Sequence, residues 1–245
     1  MVSNVRQFNG SSDYLEVGSG VTDSAYGTQI AILKKTSDPT SNGCFFDRRG
    51  GSSVLDENMI VRSNHPSDAN QLAYVGASGT AVFSSFTVTN ADGWVILGVS
   101  KATGTATPRM HKCVLSSVTW THQNASGSVG NPTAASGWRF GSTKSGSSTY
   151  ADFFAGNILL VAYWDASSLS DGTVAGFSSL ATILAASPTG LWLLNQSSTG
   201  TSVTEYNGTG ANQTAISGTT VVSDTIPNFT LTSAISQPGF RYAFR

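Results

Sequence analysis

The side chains able to do chemistry are few and scattered. The sequence holds three histidines (His65, His111 and His122), two cysteines (Cys44 and Cys113) and 14 carboxylates in 245 residues. Retaining glycoside hydrolysis needs two carboxylates about 5 Å apart, flanking one bond. The glutamates are Glu16, Glu57 and Glu205, and none has an acidic partner two or four positions away. Asp56 and Glu57 are adjacent and would point to opposite faces of a strand. No Gly-x-Ser-x-Gly elbow is present, and neither cysteine lies near a histidine in a recognised nucleophile pattern. His111 and Cys113 share a strand face, which is more often packing than a dyad. No histidine–cysteine cluster has metal-ligand spacing, so no zinc site is expected. The expectation is a protein that is not an enzyme.

Sugar recognition needs a flat aromatic face with amides, carboxylates or arginine beside it. TWTHQNASG (119–127) offers Trp120, His122 and Asn124, and FFDRR (45–49) offers Asp47 and Arg48. These five residues are the candidate carbohydrate-binding set. The competing reading makes Trp120 an aromatic anchor in the core or at a subunit contact. For calcium, Asp47, Asp152 and Asp165 stand at strand ends, yet such an ion demands six or more oxygens and turn aspartates are common. No metal residue is assigned and no cofactor is expected.

These residues are carried by short strands between turn clusters. Candidate strands are 5–8, 14–17, 28–35, 43–48, 58–63, 71–75, 80–88, 94–100, 109–121, 137–142, 156–165 and 189–196. Between them lie GSSD, DPTSNG, RRGGSS, NADG and ATGTATP, all turn chemistry. The run Ile158–Trp164 is apolar at every position, so both faces of that strand need cover. Ser170 can cap a helix over 171–184 with Val174, Phe177, Leu180 and Ile183 as its apolar stripe. The expected division is a sandwich over 1–187 and a C-terminal strand and extended arm over 188–245, packed on the sandwich or on a partner subunit.

Composition agrees. Only 11% of residues are charged while 39% are hydrophobic, a balance suited to strands and turns with a packed core. A net charge of −1 gives no electrostatic case for nucleic acid or an anionic membrane. No apolar run reaches transmembrane length, and the opening residues contain no signal-peptide core. The cysteines are expected to be buried thiols, with a disulfide as the alternative.

Three pieces in order resemble laminin-G-like, concanavalin A-like jelly rolls. VRQFNGSSDYLEVG (5–18) is similar to their opening strand pair. GWVILGVSKATGTATPRMHKC (93–113) is similar to their tryptophan-led strand, turn and next strand. WRFGSTKSGSSTYADFFAGNILLVAYWDASSLSDGTVAGF (138–177) resembles their closing unit, with Leu-Ser-Asp starting a short helix. The chain departs from the family where Ile158 is followed by Leu159-Leu160-Val161 in place of an acidic pair, and where residues 101–109 lack an Asp-Gly turn. Residues 191–229 resemble tail segments of LamG-type minor tail and other virion proteins of long-tailed bacteriophages. The resemblance implies an all-β jelly-roll sandwich with one short helix, in a virion structural protein of tail or capsid surface. It would assemble in the host cytoplasm as a homo-oligomer among other virion proteins, contributing to host-surface or glycan attachment. The alternative is a soluble lectin-like carbohydrate-binding module.

Overall fold

A computed structural model describes residues 2–17, 24, 26–37, 43–48, 57–61, 70–76, 79–131, 138–145, 149–195 and 213–231. The strands follow the expected turn punctuation. They are β1 (Val2–Asn9), β2 (Tyr14–Val17), β3 (Gly27–Lys35), β4 (Gly43–Arg48), β5 (Glu57–Val61), β6 (Gln71–Val75) and β7 (Ala81–Thr87). Then come β8 (Trp94–Lys101), β9 (Arg109–Val114), β10 (Thr119–Asn124), β11 (Trp138–Phe140), β12 (Thr143–Ser145), β13 (Thr149–Ala151) and β14 (Ala155–Asp165). Two helices, α1 (Asp171–Ala175) and α2 (Leu180–Ala185), precede β15 (Gly190–Leu193), β16 (Gln213–Ser217) and β17 (Thr220–Thr225).

Among the described residues these strands form two large antiparallel sheets, an all-β jelly-roll sandwich, with β12 and β13 paired as a separate two-stranded sheet. One sheet runs β10-β9-β8-β3-β14-β1-β17, with β15 also on β14, and the other runs β16-β2-β11-β4-β5-β6-β7. The first core lies between them and includes Val95, Leu97, Val99, Ile158, Val161, Tyr163, Phe46, Trp138 and Trp192. Trp94 and Ile96 face the other way, as strict alternation along β8 requires.

The doubly apolar β14 is covered on both sides. Ile158, Val161 and Tyr163 enter the first core. Leu159, Leu160, Ala162 and Trp164 enter a second, on the outer face, beneath Val174, Phe177, Leu180, Ile183, Ile226 and Phe229. A bulge between Ile158 and Leu160 against β3 inserts one residue, so two successive leucines share a face. Trp164 stacks on Phe177 at 5.3 Å and its indole N–H donates to the Ala186 carbonyl at 2.7 Å. Each such buried side chain contributes roughly 1.5–3 kcal/mol.

Two expectations change. The strand expected over 109–121 is two strands, β9 and β10, joined by a turn at Leu115–Val118. The single helix expected over 171–184 is two, because Gly176-Phe177-Ser178 breaks it and Ser179 caps anew, accepting from the Thr182 N–H. The segment after 188 contributes β15, β16 and β17, with β16 in one sheet and β17 in the other. Cys44 and Cys113 are both buried thiols and are not joined to each other by a disulfide. No helix among the described residues is long and apolar enough to cross a membrane.

Candidate functional site

The β9–β10 hairpin sets the site by its register. His111 lies opposite His122, Arg109 opposite Asn124 and Cys113 opposite Trp120. All six therefore stand on the outer face of the sheet, on the hairpin that forms its edge. The neighbouring strand places Gly98 opposite His111 and Ser100 opposite Arg109. From above, α1 delivers Asp171 in its first turn, fixed by the Ser170 cap that accepts from Thr173 N.

The contacts are dense. Arg109 grips Asp171 with two nitrogens, Nε donating to Oδ1 at 2.9 Å and Nη2 to Oδ2 at 2.5 Å, while Nη1 donates to Asn124 Oδ1 at 3.2 Å. His111 Nδ1 and His122 Nδ1 are 2.8 Å apart, and each lies 3.8 Å from Asp171 Oδ1. On its other side His111 Nε2 is 3.0 Å from Ser100 Oγ, which accepts from the Thr28 hydroxyl at 3.0 Å. Thr28 in turn accepts from Leu169 N and lies 2.8 Å from the Ser167 carbonyl, so the loop before α1 is tied to the same network. Trp120 stacks on His122 with ring centroids 5.4 Å apart and planes 6° from parallel.

Burial sets the charge states. The His111 pKa falls to about 4, first through burial and then through His122, with Asp171 opposing. Burial also lowers His122. Both imidazoles are therefore neutral at pH 7. Hydrogen bonds from Arg109 hold the Asp171 carboxyl below its usual range. Burial raises the Cys113 thiol to about 11, which keeps it unreactive.

Trp120, His122 and Asn124 thus stand together, half-buried to exposed, alongside Arg109 and Asp171. Asp47 does not join them. It is fully buried in the other sheet, 3.3 Å from the Arg139 guanidinium, which also bonds Glu16 at 2.6 Å. Arg48 lies next to it at the end of β4. Of the calcium candidates, Asp165 accepts from Ser24 and Tyr163 and Asp152 from Thr143, so these carboxylates have protein partners. Among the described residues, the group of three metal-ligating side chains is His111, His122 and Asp171. Sequence spacing concealed it, because the ligands come from two strands and a helix. Breaking 109–121 at Leu-Ser-Ser would have placed His111 across from His122.

No family model and no curated protein matches the sequence. Solved structures similar to the chain include a native heptameric SAP-like pentraxin from Limulus polyphemus, at 13% identity and a TM-score of 0.49, covering 71% of this chain and 81% of that one. SCP-B, a member of the Eqolisin family of peptidases, is 13% identical at a TM-score of 0.28, over 86% of this chain and 95% of its own. Scytalido-glutamic peptidase is 11% identical at a TM-score of 0.25, over 69% and 82%. The expectation that the chain is not an enzyme is corrected by these peptidases: the missing glycosidase carboxylates do not exclude other catalysis on such a sandwich. At these scores the likenesses assign no activity, and the fold rests on the strand order and the two cores described above.

Proposed function

We propose that the chain is a carbohydrate-binding β-sandwich displayed on a bacteriophage virion, as a homo-oligomer that contributes to attachment at host-surface glycans. One observation carries the binding half of this reading: Trp120, His122 and Asn124 form a single half-exposed row, with the Arg109–Asp171 pair beside Asn124. An aromatic face packs on sugar C–H groups while amides and a bidentate arginine–carboxylate pair meet hydroxyls in fixed directions. The virion half is supported by the resemblance of residues 191–229 to tail segments of LamG-type phage virion proteins, beside the laminin-G-like motifs of the preceding sandwich. A soluble lectin-like module would use the same row without the virion.

A glycan array tests the binding half. Trp120→Ala is expected to reduce binding at least tenfold, and silence of the unaltered protein on the array would overturn the sugar reading. Immunogold labelling of particles tests the virion half, with label on the tail or capsid expected and label confined to free protein counting against it.

A further inference from the structure

His111, His122 and Asp171 bring three metal-ligating atoms around one point, and nothing in the sandwich architecture requires that convergence. Two imidazole nitrogens face each other at 2.8 Å, and one carboxylate oxygen lies 3.8 Å from each. Ligands bound to zinc at about 2.0–2.1 Å in tetrahedral geometry are roughly 3.3 Å apart. The observed separations bracket that value, so small ring rotations would seat an ion.

We infer that His111 Nδ1, His122 Nδ1 and Asp171 Oδ1 form a binding site for a divalent transition metal of the zinc class. The donor set selects the metal. Two imidazoles and one carboxylate suit zinc, copper or nickel, whereas calcium and magnesium demand shells of oxygen. The supporting groups are also in place. Ser100 holds the far nitrogen of His111 and is itself held by Thr28. Arg109 orients Asp171 through two nitrogens. Such outer partners fix ligand rings and carboxylates ahead of binding. Arg109 opposes the incoming charge and so lowers the affinity. Asp171 and His122 have side chains 39% and 15% exposed, so a fourth position is open to water or a ligand oxygen.

The inference stands apart from the glycan reading, since its test contains no sugar. Metal-free full chain is titrated with Zn²⁺ by calorimetry at neutral pH, and with Co²⁺ while visible absorption is recorded. One ion per chain is expected, with a visible cobalt spectrum of nitrogen-containing coordination and a rise in Tm. His122→Ala and Asp171→Asn should each weaken binding at least tenfold, while His65→Ala leaves it unchanged. Should His122→Ala lose its circular dichroism signature, the nearly isosteric Asp171→Asn carries the comparison. The inference is overturned by no binding tighter than about 100 µM, or by binding that survives Asp171→Asn or is abolished by His65→Ala. A silent glycan array leaves these outcomes untouched.

Discussion

Asp224 ties three strands with one carboxylate. Its Oδ2 accepts from Lys34 Nζ on β3 and Asn157 Nδ2 on β14, both at 2.9 Å, while its own strand pairs with β1. Burial works to raise this carboxyl, but the bonds from Lys34, Thr225 N–H and Asn157 outweigh it and leave the pKa below 3.8. A depressed folded-state pKa stabilises the fold above the unfolded value and is lost as pH falls through the folded one. Stability measured by urea unfolding should therefore drop more steeply below pH 3.8 in the native chain than in Asp224→Asn. Equal slopes would remove Asp224 from the acid response. The same scale explains why Asp47 misled the sequence reading. An acid between two phenylalanines and an arginine reads as a surface recognition patch, yet cross-strand register sets it opposite Arg139, where the charge is neutralised out of water.

The β9–β10 hairpin is the element on which the candidate site depends, and it turns through an uncomfortable residue. Val118 has φ of 53° and is 51% exposed, so a β-branched side chain sits in the left-handed region and buries little in return. Asparagine tolerates that region, and Val118→Asn is expected to stabilise the protein by about 1 kcal/mol. A shift in denaturation midpoint would register it, and a fall would mean that Val118 makes a contact worth more than its strain. Much of the element level was legible in the sequence. The inward and outward sets of β8 followed from alternation, the cover on both faces of β14 followed from its doubly apolar run, and the Ser170 cap followed from residue type, but the bulge that takes Leu159 away from the face of Val161 and Tyr163 left no mark in the sequence. The hairpin did not, because Arg109 to Thr121 alternates without glycine, proline or asparagine to mark the turn. The helix break was missed for a related reason: Gly176 was read within an apolar stripe whose spacing continued past it.

At the scale of the molecule, two short connections cross between the sheets and close the sandwich. One passes from β1 to β2 and the other from β17 to β16, each crossing between the sheets. At their corners a Cβ on Gly218, whose φ is 68°, would come within 2.0 Å of Asp13 Oδ1, and Asp13 itself accepts from Asn9 N. The division at 187 was drawn from composition, since turn-rich sequence with weak periodicity carries little sign of where its strands pair. Ending the chain after Ala186 and Ser187 should expose the flank of β14 and the edge of β1, and uncover the outer core. A truncated protein with native-like near-ultraviolet circular dichroism would show that the later strands are dispensable. The pairing of Val2 with Thr225 also governs how the protein is made. A ribosome releases β1 long before its outer partner exists, so the emerging chain carries an unfinished sheet until β17 has followed. Completion is then a late event, set by loop closure across all the residues from Val2 to Thr225, and the nascent chain has reason to meet a chaperone before it meets any ligand.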